Sequence, residues 1–477
     1  MSALTSGYAM GTHGPRMQHY LADAQPVLER APTYSQVASH VARVNLTPSA
    51  SKVVIVMVGL PARGKSFISM RICHFYAWLG TKAQIFNVGE HRRTAETAVQ
   101  DASYFDPNDA ERQKSRDKLA FETLDRLLDW LDGQTLAVAI FDATNSTVKR
   151  RRRVFDHIRQ HNASYGVVFV ESCCADSTIV EANIHAKISK SPDYKNIPYE
   201  TARSDFLARM EHYQSAFEPL GTVGAEEKDL SYIKLLDLGM QFTAHKVYGH
   251  ITATLLPYLQ AIHIGKRPIW LIRLPESQIT AQGRGESPSG RDVPLDVSYS
   301  DETMSNAGRL FAEKLAAHVH RSCEMASLHA FICTHRRALE CAERLDDSQA
   351  NVTILSSLSP MDWGSYNGIR RADFETDTSP DFFAKLQRDP MNTRFPGGES
   401  YGDFVRRLMP VIIEIEQECR PVVVIAPLSV LQVLHCYFAN FPITAAPEVV
   451  IPQHAIMEWR PAGVRFASRV ISESELN

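Results

Sequence analysis

The chain of 477 residues carries 51 Lys and Arg against 54 Asp and Glu, a formal charge of −3, with 44 % hydrophobic and 22 % charged residues. That composition fits a globular protein with a real core, at roughly 100–200 residues per domain two to four domains, and it speaks against bulk binding to nucleic acid or an anionic membrane. The apolar run Val53–Leu60 falls far short of the ~20 residues of a membrane span, and residues 1–30 lack the apolar core of a secretory signal, so a cytoplasmic chain is expected.

Residues 1–50 are polar, carry Gly, Pro and Ser and show no sustained period, which predicts a flexible extension or a loose helix around Gln25–Val44. From Ser51 strands and helices alternate. Val53–Val58 is a continuous β-branched run and reads as a buried parallel strand. The next segment places Ile68, Ile72, Phe75 and Tyr76, and Leu79 on one helical face, with Gly80 as its stop. Strands are expected at Gln84–Val88, Leu136–Phe141, Val167–Val170 and Tyr232–Leu236, a charged helix at Asp109–Asp132, and a helix at about 246–260. Lys266-Arg267-Pro268 reads as a boundary. Beyond it, strands at Ile269–Ile272, His329–Cys333 and Val422–Ile425 alternate with helices near 302–318 and 402–418, and 283–294 reads as a surface loop. The pattern predicts two α/β domains with mainly parallel sheets, at 51–265 and 266–465, then a tail at 466–477. The eight Cys form no Cys-x-x-Cys pair, which argues against a structural zinc site or a disulfide framework.

Gly59-Leu60-Pro61-Ala62-Arg63-Gly64-Lys65-Ser66 fits the phosphate-binding pattern G-x-x-x-x-G-K-S/T, in the strand-to-helix context the pattern requires. The glycines let backbone N–H groups turn onto phosphate oxygens, and the helix start near Lys65 adds its positive end. Lys65 is expected to bridge the β- and γ-phosphates and Ser66 to bind Mg²⁺. Asp142, ending an apolar strand and followed by Ala143-Thr144-Asn145, supplies the carboxylate such a loop needs to place the metal or orient the acceptor. His91-Arg92-Arg93 follows the second strand, where α/β sheets open their ligand crevice. Lys149-Arg150-Arg151-Arg152-Arg153 is either a solvated helix face, a nucleic-acid patch or a set of ligands for a phosphorylated acceptor.

These segments, with Phe86-Asn87-Val88-Gly89, Ser191-Pro192-Asp193-Tyr194 and Leu230-Ser231-Tyr232-Ile233-Lys234, resemble in order the kinase half of the 6-phosphofructo-2-kinase/fructose-2,6-bisphosphatase family. The rear half resembles its histidine-phosphatase domain, of phosphoglycerate-mutase-like fold, through Arg394-Phe395-Pro396, Gly398-Glu399-Ser400-Tyr401 and Asp403. The resemblance implies transfer of the ATP γ-phosphoryl to the 2-hydroxyl of fructose 6-phosphate. It implies that residues 59–66 hold ATP and Mg²⁺ with Asn183 beside them, that Lys65, Asp142 and Cys174 sit at the reacting end, and that Arg92, Arg116, Thr144, Arg150, Arg209 and Tyr213 hold the sugar phosphate. The sugar-phosphate Lys of the family aligns with Ile188, so Lys187 or Lys190 replaces it. If neither does, the alternative is a weakly active nucleotide and sugar-phosphate sensor.

The phosphatase signature Arg-His-Gly-Glu reads here Arg273-Leu274-Pro275-Glu276. Leu274 stands at the nucleophilic His, Pro427 at the second His and Pro360 at the acidic donor. Leucine has no lone pair to attack phosphorus, and Pro275 removes an N–H. Turnover by the family mechanism is not expected. The domain's retained role is left open among stabilising a homodimer, covering the apolar underside of the kinase and binding an effector.

Overall fold

The computed structural model describes residues 50–95, 101–222, 225–263, 265–281, 302–323, 327–345, 350–369, 374 and 379–476. The expected N-terminal flexibility, the helix near 25–44 and the loop at 283–294 fall outside the described residues.

The first sheet grows from β1 (Lys52–Val58), which lies at its centre in the order β2-β3-β1-β4-β5-β6. Its other strands are β2 (Lys82–Asn87), β3 (Ala137–Asp142), β4 (Gly166–Cys173), β5 (Tyr232–Leu236) and β6 (Gln241–His245). All pairs are parallel except β5 with β6. The side chains of β1 alternate between two cores, as a strand covered on both faces must. Val53, Ile55 and Met57 meet Ile68, Ile72 and Phe75 of α1 (Lys65–Trp78). Val54, Val56 and Val58 share a core with leucines of the long helix Ala110–Asp132 and with Val154 and Ile158 of the helix Val148–His161. With Val88–Ala95 as α2, these two are α3 and α4. Asp109 caps α3 by accepting from the N–H groups of Glu111 and Arg112, at 3.1 and 3.0 Å. Three more helices complete this half: α5 (Ser177–Lys190), α6 (Tyr199–Ser215) and α7 (His250–Ala261).

The second sheet has the order β12-β11-β7-β10-β8-β9, with β7 (Ile269–Arg273), β8 (His329–Ile332), β9 (Asn351–Ile354), β10 (Val422–Ala426), β11 (Ala455–Ala462) and β12 (Arg465–Ser472). Strands β7 to β10 are parallel, and β11 and β12 form an antiparallel hairpin beside β7. Its helices are α8 (Asn306–Cys323), α9 (Arg336–Leu345), α10 (Pro380–Arg388), α11 (Tyr401–Gln417) and α12 (Leu428–Ala439). The stretch expected as a tail from 466 is corrected here. It is strand β12, held to β11 over its whole length by ladder bonds, with Ile471 buried.

Helices α1 and α7 of the first half also pack against the second. Besides the face turned to β1, α1 buries Arg71 and Trp78, and the Trp78 indole N–H donates to the Val433 carbonyl of α12 at 3.0 Å.

Candidate active site

The loop between β1 and α1 is fixed by contacts only this sequence allows. Gly59 sits at φ 135°, and a Cβ there would lie 2.6 Å from the Ser172 carbonyl oxygen of β4. Its N–H donates to the Thr144 carbonyl at 3.0 Å, which joins the loop to the segment after β3. Ala62 takes φ 58°, and its carbonyl accepts from the Asn183 side-chain amide at 3.0 Å. Asn183 therefore braces the loop from α5.

Lys65 opens α1 and its ammonium donates to the Leu60 carbonyl at 2.6 Å. Burial is the largest influence on it and brings its pKa down to about 7. Asp142 opposes that fall, while Lys187, Arg209 and Arg63 add to it. Ser66 donates to Asp142 Oδ2 at 3.0 Å, and Asn87 donates to the same oxygen at 2.6 Å. A hydroxyl and a carboxylate facing each other at the carboxyl ends of parallel strands suit Mg²⁺, which takes oxygen ligands and keeps several waters.

Pro61 to Ser66 and Asp142 form one end of a cleft of about 970 Å³. The other end is cationic: Arg92, Arg93, Arg116, Arg150, Lys187 and Arg209 line it, with Thr144 and Tyr213. Asp193 organises this end. It accepts from Arg92 at 2.5 Å, and Arg209 and Arg93 stand 3.7 and 4.0 Å away. Arg92 still has buried Nε and Nη1 atoms without partners, and so has Arg209 at Nε and Arg150 at Nε. Buried unpaired guanidinium nitrogens are costly. Rings cover part of these groups: the Arg92 and Arg209 guanidinium groups lie 5.3 and 3.7 Å from the Phe105 ring centre and that of Arg150 5.2 Å from that of Phe121, so each is held in place on the wall of a cleft whose cations suit a doubly charged oxyanion. Arg116 is aimed by two carbonyls, of Tyr104 and Asp106, and Arg150 by Asp117.

The basic run at 149–153 divides by helical rotation. Lys149, Arg150 and Arg153 line the cleft. Arg151 is fully buried, bonded to Glu227 at 2.6 Å and to the carbonyls of Asn145 and Glu218. Arg152 pairs with Asp156 and Asp229 on the surface. On α5, Ile188 is 6 % exposed and packs with Ile184 and Ala202, so a side chain at that position faces the core. Lys187 and Lys190 both reach the cleft lining, and burial chiefly lowers the Lys187 pKa, with Asp142 opposing the fall.

Cys174 departs from expectation. It is absent from the cleft lining and is buried with Ala62, Val180 and Ile184, beneath the phosphate loop. Burial pushes its thiol pKa up, so it holds its proton and acts as a small apolar residue. Two side chains that sequence reasoning gave no role, Asp193 and Asn87, carry the site's internal order. Asp193 was visible only as part of a motif, and nothing local signals that it gathers three arginines.

In the rear half, β7 and β10 pair Arg273 with Ala426, which brings Leu274 and Pro427 to adjacent strand ends. Leu274 is buried, its N–H donates to the Ala426 carbonyl at 3.2 Å and its carbonyl accepts from Gln453 at 2.8 Å. Pro427 is the N-cap of α12. The Pro275 carbonyl accepts from Arg337 and the Pro360 carbonyl from Arg407, at 2.7 and 2.9 Å. His335 is buried, with Nδ1 3.5 Å from the Cys333 sulfur, and burial lowers its pKa.

Sequence models of two families match the chain: 6-phosphofructo-2-kinase over residues 42–266 and the histidine phosphatase superfamily, branch 1, over residues 269–473. A Caenorhabditis elegans 6-phosphofructo-2-kinase/fructose-2,6-bisphosphatase is 34 % identical over 423 residues, 87 % of this chain and 88 % of the relative. A probable 6-phosphofructo-2-kinase of Schizosaccharomyces pombe is 32 % identical over 417 residues, 85 % of this chain and 70 % of the relative. The human 6-phosphofructo-2-kinase/fructose-2,6-bisphosphatase 3 is 32 % identical over 422 residues, 88 % of this chain and 76 % of the relative.

Proposed function

The chain belongs to the 6-phosphofructo-2-kinase/fructose-2,6-bisphosphatase family, and from that premise we propose that it transfers the γ-phosphoryl of ATP to the 2-hydroxyl of fructose 6-phosphate, releasing ADP and a proton. The observation that carries the reading is one cleft lined both by a phosphate loop and by the arginines Arg92, Arg116, Arg150 and Arg209. The loop amides and Lys65 hold the triphosphate, and Arg92, Arg116, Arg150, Lys187, Arg209 and Tyr213 hold the sugar phosphate. Ser66 and Asp142 would hold Mg²⁺, which when bound neutralises charge on the phosphoryl oxygens. Arg151 and Arg152 are occupied by carboxylates, which favours a small phosphorylated acceptor over a nucleic-acid end. No described helix is long and apolar enough to cross a membrane, and a cytoplasmic location is part of this reading. A coupled assay of fructose 2,6-bisphosphate formation tests it. Product above a blank lacking fructose 6-phosphate supports the kinase, and none at saturating MgATP refutes it.

We further propose that the rear domain does not hydrolyse fructose 2,6-bisphosphate. Leu274 and Pro427 offer no nitrogen nucleophile at the adjoining strand ends, and the nearby His335 is buried beside Cys333. Incubation of the purified chain with fructose 2,6-bisphosphate is expected to release no phosphate above buffer. Release that a substitution within 267–465 abolishes would overturn this.

A proton signature should accompany nucleotide binding. Lys65, with a pKa of about 7, is mostly neutral at pH 8, and a triphosphate against it draws its proton back. Calorimetry at pH 8 in buffers of different ionisation enthalpy is expected to show net uptake, approaching one proton per nucleotide. Lys65→Met should take up fewer protons, with Lys187, whose pKa burial also lowers, supplying the remainder.

A further inference from the structure

We propose that the rear domain takes part in phosphoryl transfer from a distance, with Glu416 as a positioning residue that acts through Arg71 to fix the rotation of the helix carrying Lys65 and Ser66. The inference rests on the kinase reading. Arg71 lies six residues beyond Lys65, about 9 Å along α1, on the flank of the face that meets β1, where the rear domain packs. Its guanidinium is paired with the Glu416 carboxylate of α11 and donates to the Tyr437 hydroxyl of α12 at 3.2 Å. Tyr437 in turn donates to Glu416 at 2.6 Å. Phe466 of β12 lies 5.2 Å below the guanidinium. The Tyr258 hydroxyl of α7 donates to the Arg71 carbonyl at 3.2 Å and lies 3.2 Å from the Tyr437 hydroxyl. Its ring stacks on Phe75 at 3.9 Å.

Arg71 is 6 % and Glu416 4 % exposed, so neither charge is satisfied by water. An apolar contact would hold α1 against the rear domain equally well, because packing is tolerant of small rotations about the helix axis. A guanidinium shared between a carboxylate and a phenol is directional, and it sets one rotation. Buried ionic pairs are weak contributors to stability, and their best-attested use is to specify register. Here the register in question is that of α1, whose first turn presents Ser66 to Asp142 and Lys65 to the phosphate loop. A domain without its own nucleophile is thereby kept as the seat of the other domain's catalytic helix.

The test uses the full chain in three forms: wild type, Glu416→Gln, and the double substitution Arg71→Met with Glu416→Leu. Each is assayed for kcat, for KM of fructose 6-phosphate, for affinity towards a non-hydrolysable ATP analogue and for thermal stability. Displacement of a catalytic group by a fraction of an ångström costs about tenfold or more. Glu416→Gln is expected to lower kcat and analogue affinity about tenfold each while KM for fructose 6-phosphate stays within twofold. The double variant removes both charges at similar volume and is expected to be as stable as wild type while keeping the kinetic defect. If it is stable and recovers wild-type kcat and affinity, or if folded Glu416→Gln has lost only thermal stability, the proposal is wrong. Should Glu416→Gln fail to fold, the double variant decides. A wild type that binds the analogue but yields no product refutes the kinase reading and leaves the affinity measurement to judge Glu416. One that binds no analogue overturns both.

Discussion

Replacing Lys65 by Met is expected to slow formation of fructose 2,6-bisphosphate by about 10²–10³-fold with the fold intact. The ammonium sits where the phosphate loop meets Asp142, in a pocket dry enough to hold its pKa near 7. Charge stabilisation is worth most in such an environment, so its removal acts on the transferring phosphoryl as well as on nucleotide affinity. Methionine keeps the stem, which packs at the start of α1. The same substitution should reveal the thermodynamic sign of the burial. The folded pKa lies below the ordinary lysine value of 10.5, so the unfolded chain holds the extra proton between about pH 7 and 10.5. Stability attributable to this residue therefore rises with pH across that window, and the cost of burying the charge is full below pH 7. Lys65→Met should be more stable than wild type at pH 6.5, by a margin that shrinks towards pH 9. Urea unfolding of both proteins at the two pH values checks it, and a constant margin would contradict the assignment.

Arg151→Met is expected to destabilise the chain by about 3–5 kcal/mol, the usual result of stranding one member of a buried ion pair. Arg151 has no exposed surface, and its partner Glu227 is almost as deeply buried. Its second nitrogen also holds the carbonyls of Asn145 and Glu218, so it ties α4 to the segment leading into β5 and to the loop after β3. Among the described residues, the Glu227 carboxylate would then keep the Gly221 N–H as its hydrogen-bond donor. Because α4 carries Arg150 and Arg153 into the cleft, the loss should also raise KM for fructose 6-phosphate in whatever fraction remains folded. Arg152→Met, one residue on, removes only surface pairs and is expected to cost less than about 1 kcal/mol. Equal effects of the two substitutions in a urea titration would show that burial is not what distinguishes them.

The sequence announces the phosphate loop because local backbone demands are written in residue type. Gly59 is the only residue that fits against Ser172, and the pattern is short enough to be read from neighbours. The parallel strands are legible for a related reason: Val53–Val58 is buried on both faces and needs no partner to be recognised. The hairpin β11–β12 escaped because β12 is largely exposed and carries Arg465 and Arg469, though the two-residue turn at Gly463, φ 70°, was a usable signal. Strand β6 escaped likewise, as a short edge strand with mostly exposed residues. The basic run at 149–153 could be noticed but not sorted, since its split into cleft, core and surface depends on where Asp117, Glu227 and Asp229 arrive. Arg71 and Glu416 are 345 residues apart, and no local pattern couples them. Ile188 shows the converse hazard. The family resemblance sets it against a ligand position, yet its helix turns it into the core and Lys187 onto the cleft wall.

The pairing of β7 with β10 has a consequence for redesign. Because Arg273 and Ala426 are register partners, the two places where imidazoles would have to stand are neighbours, and each has been claimed by a different architectural need. Leu274 plugs the strand end, and Pro427 begins a helix. Placing a histidine at 274 or at 427 alone would disturb packing or a helix start without supplying the other imidazole. Building a phosphatase site here would therefore take coupled changes with compensating repacking, made without loosening the grip of α11 and α12 on α1.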